Sequence, residues 1–343
     1  MTMAEATRTP APARYPALIT GVTGAVLGTL IGLSVVSLTP IPGLADPGPV
    51  VLVAIPLVRT LLNIAAVATI GLSLLPVLLG YDRPDLTEPV LRPARRAAFA
   101  AALVWSAGAL VLLLLQTAEY RGSAETIDMA DVSDYVTTVG AGKALLIVAG
   151  LAFLHCVLGV LAVRRGERVP AEARIGLALF ALLPLPITGH SSTWEYHDYT
   201  TISIELHVMA AAAWVGGLAT LAVLLAGNRG LLATALPRFS KLAGVSLFVV
   251  AGTGLFNAIV ELLAQPAMPF LEAAFGTPYG WLVIGKMVCL AAIAVFGARM
   301  RWRLLPAIAA HKKSAFVTWA AAEVAVMGAA FGLAVVLARS PVS

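Results

Sequence analysis

Apolar residues run along this chain in long stretches, and polar ones are concentrated in the gaps between them. A helix that crosses the hydrocarbon core needs about 20 mostly apolar residues. Nine stretches meet or approach that length: 17–38, 50–80, 97–115, 143–163, 174–189, 203–226, 242–263, 280–298 and 314–338. The fifth is short and is interrupted by Pro184 and Pro186. Proline in a membrane helix frees backbone groups that something else must satisfy, so irregular backbone is expected there. None of the nine shows the strict alternation of a membrane barrel strand. The pattern predicts an all-α polytopic membrane protein, a bundle of about nine transmembrane helices.

Composition narrows the class further. Only 12% of the 343 residues are charged and 59% are hydrophobic, against about 25% charged in a soluble domain. A soluble enzyme, a disordered chain and a coiled coil are all disfavoured, and the lipid bilayer becomes the principal surrounding. The net charge of +5 does not point to nucleic acid, because the charges mark the loops. Arg8 and Arg14 precede the first span. Arg83, Arg92, Arg95 and Arg96 follow the second, Arg164, Arg165 and Arg168 the fourth, Arg229 and Arg238 the sixth, and Arg299 to Lys313 the eighth. Alternate loops are acidic or neutral, notably Glu119 to Asp134. Basic loops stay inside, so the N-terminus is expected inside and the C-terminus outside, in a multi-pass protein of the plasma (inner) membrane.

Two further features fit this picture. Gly43-Leu44-Ala45 loosely resembles a signal-peptidase site, but the preceding apolar run exceeds the 7–15 residues of a signal core, and it reads as a retained helix. Cys156 and Cys289 both fall in apolar runs, without zinc or disulfide spacing. The chain divides into an N-terminal membrane domain, 1–180, of about four spans plus the start of the fifth, and a second domain, 181–343.

Ionisable residues within spans are costly, at least about 2.5–3.5 kcal/mol at the bilayer centre, and are the default functional candidates. They are Arg59, His155, His207, Glu261, Lys286 and Glu323, with Asn63 and Asn257 as neutral additions. At 1.5 Å per residue, His207 is expected roughly 6 Å inside the outer end of its span and Lys286 about 9 Å inside its own. Asn257 lies at a similar level and Glu261 one turn further out. The outer loop before the sixth span carries His190, Glu195 and His197, so three of the five histidines fall within 18 positions at one face. Neutral imidazole suits copper, zinc, iron and nickel, and thioether selects cuprous copper. Met209, two residues past His207, adds a thioether on another face of the helix; Trp214 lies two turns deeper on the same face. The cluster reads either as a metal entry site or as solvated loop histidines with His207 bonded to a neighbouring helix. Glu261 and Lys286 read as an interhelical pair or as a gating element. Glu323 reads as a relay or as a partner of a facing helix, and Arg59 as a side chain snorkelling outward.

At these residues the second half resembles the copper resistance protein D (CopD) family of bacterial inner-membrane copper proteins. The motifs, in order, are Thr188-Gly189-His190, His207-x-x-Ala210 leading to Trp214-Val215-Gly216-Gly217-Leu218, and Arg238-Phe239-Ser240 before a helix with Gly252 and Gly254. Then come Thr277-Pro278-Tyr279-Gly280 with Lys286, the basic stretch Arg299 to Arg303, and Glu323. They cover about 185–338; residues 15–180 resemble, less specifically, the extra helices of larger members. The resemblance implies uptake of copper ions across the plasma membrane, with an extracytoplasmic copper-binding protein as a donor, and places ligands at His190 and His207. His197, Glu195 and Met209 are additions from position. In some members an oxidase-assembly domain follows; the chain ends at Ser343 and no such activity is carried over. No ATP-binding loop or Cys-Pro-Cys motif is present, and neither pumping nor enzyme activity is expected. The competing readings are a haem protein with paired histidines, disfavoured by the unequal depths of His155 and His207, and a copper chaperone without transport.

Overall fold

The computed structural model describes residues 16–35, 48–122, 127–188, 197–263, 268–304, 306 and 316–338. The described residues are helical, in the order α1 (Pro16–Val35), α2 (Pro49–Leu79), α3 (Pro84–Arg121), α4 (Met129–Thr138), α5 (Gly140–Arg165), α6 (Ala171–Phe180), α7 (His197–Thr220), α8 (Arg229–Leu263), α9 (Phe270–Gly276), α10 (Pro278–Arg299) and α11 (Phe316–Leu337). Short 3₁₀ turns follow α5 and α6, and π-helical turns extend α7 and α10. Among these, eight helices are long and apolar enough to span a membrane, and the chain is a multi-pass membrane protein.

The expected nine spans thus become eight long helices and one broken segment. The stretch 174–189 is the ten-residue α6, a run of turns, and the 3₁₀ helix Leu185–Thr188. It nevertheless traverses the bundle. At its start Glu172 accepts from Tyr81, just past the inner end of α2 (2.8 Å); at its far end Ile187 packs against Gly140, the outer start of α5. Parity gives an independent argument. If only the eight long helices crossed, the first and the last would run antiparallel. Instead α1 and α11 pack in parallel, with Gly21 against Val324, Gly28 against Ala329 and Gly32 against Val336. An odd number of crossings is required, and residues 171–188 supply the ninth. That geometry agrees with an inner N-terminus and an outer C-terminus.

The α1–α11 contact is close because neither helix carries bulk along it. A Cβ on Gly24 would sit 2.2 Å from the Ala325 carbonyl oxygen, and one on Gly332 2.2 Å from that of Ala25. Small residues let helices approach where lipid offers no hydrophobic driving force between them. The same device joins the two halves of the chain: a Cβ on Gly71 of α2 would lie 2.1 Å from the Gly216 carbonyl oxygen of α7. The core sits where α2, α3, α5 and α7 meet, around Trp105, Leu62, Ile70, Leu145 and Leu218. By contrast α8 and α10 present Val245, Phe248, Trp281 and Val288 outward, each more than half exposed, as lipid-facing helices do.

Two helices are longer than their apolar stretches. α3 and α8 extend beyond the predicted spans at their inner ends, where Arg92, Arg95, Arg96, Arg238 and Lys241 lie. The acidic outer loop contains α4, which is started by a reciprocal cap between Asp128 and Asp131 and pinned by an ion pair from Arg121 to Asp131. Cys156 and Cys289 are unpaired thiols.

Candidate functional site: a cavity with ionisable walls in the outer half of the bundle

One cavity of about 290 Å³ lies between α2, the broken segment, α7, α8, α10 and α11. Each helix contributes residues spaced three and four apart, which is one helical face. α2 supplies Arg59, Asn63 and Ala66; α7 supplies His207, Ala211 and Trp214; α8 supplies Gly254, Asn257 and Glu261; α10 supplies Val283, Lys286, Met287 and Leu290. α11 adds Met327 and Phe331, and Leu185 and Pro186 close the side of the broken segment. Six of the eight polar residues singled out within the spans, Arg59, Asn63, His207, Asn257, Glu261 and Lys286, therefore line one cavity.

His207 sits well along its helix. α7 begins at His197 rather than at 203, so His207 is ten residues, or about 15 Å, below the start of its helix. Its Nδ1 is 3.0 Å from Thr253 Oγ1 on α8. The single hydroxyl hydrogen of Thr253 has its shortest carbonyl contact with Val249, at 2.5 Å, against 3.5 Å for Val250. With that hydrogen given to Val249, Thr253 accepts from His207, an arrangement that puts the imidazole proton on Nδ1 and leaves Nε2 as a lone-pair donor. Histidine ligands to metals are commonly oriented this way, through a hydrogen bond from the other ring nitrogen. Close packing fixes the ring further: a Cβ on Gly254 would be 3.2 Å from it. Lys286 is near enough to His207, and Glu261 near enough to Lys286, for their charges to interact. The carboxamide oxygen of Asn257 is buried without a hydrogen-bond partner, an unusual condition for a group whose desolvation costs about 1–3 kcal/mol.

Arg59 does not snorkel outward. It is buried, and its guanidinium donates to the Leu185 carbonyl (3.2 Å). The broken segment thereby gains a donor for a backbone oxygen, as irregular backbone at membrane depth requires. Trp214 is buried at the deeper part of the cavity wall.

The other candidates are distributed differently. Met209 packs against the main core and is not among the cavity-lining residues. The cavity's thioethers are instead Met287 and Met327; the first could have been found in the sequence from its place on the face of Val283, Lys286 and Leu290. Glu323 is buried one turn inward of Met327, facing Gly297 of α10, outside the lining. His155 is buried between α5 and α2, with Nε2 3.3 Å from Ser73 Oγ, so His155 and His207 occupy separate helix interfaces and do not form a pair. His190 and Glu195 lie outside the described residues, and of His197 only the backbone is described. Among the described residues no cluster of three or more His, Cys, Asp or Glu is arranged to hold a metal ion.

Comparison with known proteins identifies the class first. Residues 49–198 match the Copper resistance protein D-like, N-terminal domain, and residues 233–337 match Copper resistance protein D. The chain belongs to the copper resistance protein D (CopD) family, and both matched regions contribute walls to the cavity. No curated protein and no solved structure matches it.

Proposed function

We propose that the chain carries copper ions inward across the membrane, taking them up at the outer face through His207 and the outer-half cavity. The observation that supports this most is the His207 imidazole, which lines the cavity with its Nε2 lone pair turned over to ligation by the Thr253 hydrogen bond. Met287 and Met327 add soft thioethers to the same walls, and imidazole with thioether is a donor set that suits copper. In the sequence His190 and Glu195 precede α7 and His197 begins it, on the side from which an ion would arrive. Inward of the cavity, Glu323 stands one helical turn beyond Met327, a distance of about 6 Å, and offers the next acceptor for a cation. Asn257, Glu261 and Lys286 tune the cavity's polarity. The chain has no catalytic role in this reading.

The test is the copper content of purified protein, set beside that of a His190→Ala/His207→Ala double variant, followed by copper uptake into vesicles reconstituted with each. Wild type is expected to bind and transport, and the double variant to lose both. Unchanged binding in the double variant would sink the ligand assignment. Binding without uptake would make the protein a copper-delivering chaperone.

A further inference from the structure

Away from the cavity, α8 and the π-helical turn that extends α10 come together at the inner end of the bundle. A Cβ on Gly244 of α8 would lie 3.9 Å from Nη1 of Arg301. Lys241 stands one turn from Gly244 on the same helical face, and Lys241, Gly244 and Arg301 are all exposed. Elsewhere α8 packs mainly on α7 and α10 mainly on α11, so that α8 and α10 touch at few positions and leave a furrow between them. Beyond the two cations its walls are apolar. Val245 and Phe248 stand on α8, the latter 81% exposed, and Val295 on α10. Trp302, 74% exposed beside Arg301, is of a residue type enriched at headgroup level.

The charge at this place follows from the sequence. No Asp or Glu occurs from 206 to 260 or from 273 to 322, so α8 below Glu261, α10 and the chain that follows α10 supply no carboxylate. Residues 1–15, which precede α1 at the same end, hold Glu5 but also Arg8 and Arg14. Among the described residues the ion pairs involve Arg95, Arg121 and Arg174, and none reaches Lys241 or Arg301. The nearby Arg238 and Arg299 are engaged by the Leu78 carbonyl and the Trp319 ring.

We propose that the furrow between α8 and α10 binds an anionic phospholipid of the inner leaflet, its phosphate between Lys241 and Arg301 and an acyl chain along Val245 and Phe248. Ammonium and guanidinium groups form charge-assisted hydrogen bonds with phosphate oxygens, and basic pockets between membrane helices on this side take anionic headgroups. The lengths agree. One leaflet contributes about 15 Å of hydrocarbon, half of the core, and α8 rises about 16 Å from Gly244 to Leu255. Leu255 and, on α10, Met287 line the cavity and are also exposed, so the chain ends where the cavity wall meets the bilayer.

Native mass spectrometry of the full chain in detergent tests this, with phosphatidylglycerol and phosphatidylcholine of equal chain length offered in equal amounts. Wild type is expected to retain one phosphatidylglycerol with a preference of at least about fivefold. Lys241→Gln/Arg301→Gln should bring that preference below about twofold, and Lys241→Gln alone should halve it if the double variant does not fold. Arg92→Gln/Arg96→Gln removes the same charge from exposed positions of α3 and should leave the preference intact. No preference in wild type, or an equal loss in both double variants, would reduce the effect to diffuse attraction and overturn the site. Displacement of the lipid by millimolar glycerol 3-phosphate would assign the two cations to a soluble phosphate instead. A dimer mass without lipid, converted to monomer by Phe248→Ala, would give the face to a second copy of the chain; either result overturns the proposal. Copper is not read in this experiment, so its outcome is independent of the copper reading.

Discussion

Two groups of polar side chains lie within the bundle, and the chain treats them in opposite ways. Near the inner surface Arg95 of α3 and Arg174 of α6 converge on Glu167, at 2.9 and 3.0 Å, and Arg95 also pairs with Glu88. Both arginines are buried, and their charges are met by carboxylates in direct contact. In the outer half Arg59, His207, Asn257, Glu261 and Lys286 surround a cavity instead. Burying a charge is expensive unless it is paired, so the first cluster spends its charges on closing the inner ends of α3, α5 and α6 together. The second arranges polar groups around a volume large enough for a ligand. The difference separates polar residues that build the fold from polar residues that are available to a substrate, although in the sequence both are simply charges near apolar runs.

The largest effect that would break this comparison is expected at Arg174. Arg174→Met leaves Glu167 with less compensation, and breaking a buried pair costs about 3–5 kcal/mol. Thermal unfolding in detergent should show a marked loss of stability, with copper bound per folded molecule unchanged; a stable variant with impaired copper binding would reverse the assignment of roles. His207→Ala should do the opposite, lowering copper affinity by at least about a hundredfold with little change in the unfolding temperature. Thr253→Val tests the orientation argument: losing the acceptor for Nδ1–H should weaken copper binding about tenfold, the lower end for outer-shell partners of a metal ligand. A Thr253→Ser variant should restore it, as a purely steric role for the threonine methyl would not allow. Asn257→Leu removes a buried oxygen that has no partner in the structure, so stability should hold or rise slightly while copper binding falls a few-fold. The smallest effect is expected from Tyr81→Phe, which deletes one half-exposed hydrogen bond to Glu172; about 0.5–1.5 kcal/mol is the ordinary range, read by the same unfolding assay.

The membrane class and the positions of the spans could be read from the sequence, because they depend on local hydropathy. Even the weak point was visible: Pro184 and Pro186 break the fifth crossing where the structure has turns. The extents of α3 and α8 were not, since their inner ends are helical but polar, and a hydropathy pattern stops where apolar residues do. The close α1–α11 seam was not legible either, because glycines at 21, 24, 28 and 32 signal packing only once a partner with matching small residues is known.

For the site, the residue types were readable and the grouping was not. Arg59 and Asn63 stand over a hundred residues before His207, and Met327 over a hundred after it; only the packing of α2 and α11 beside α7 makes them neighbours. Met209, close in sequence to His207, is turned into the core by the helical repeat of 3.6 residues. The sequence by itself determined the solvent the protein lives in and the polar groups it could not discard, since transfer free energy is a property of each residue. Which of those groups neutralise one another at the inner surface, and which gather around a cavity, was decided by the tertiary structure, because their grouping depends on distances between helices that no single helix specifies.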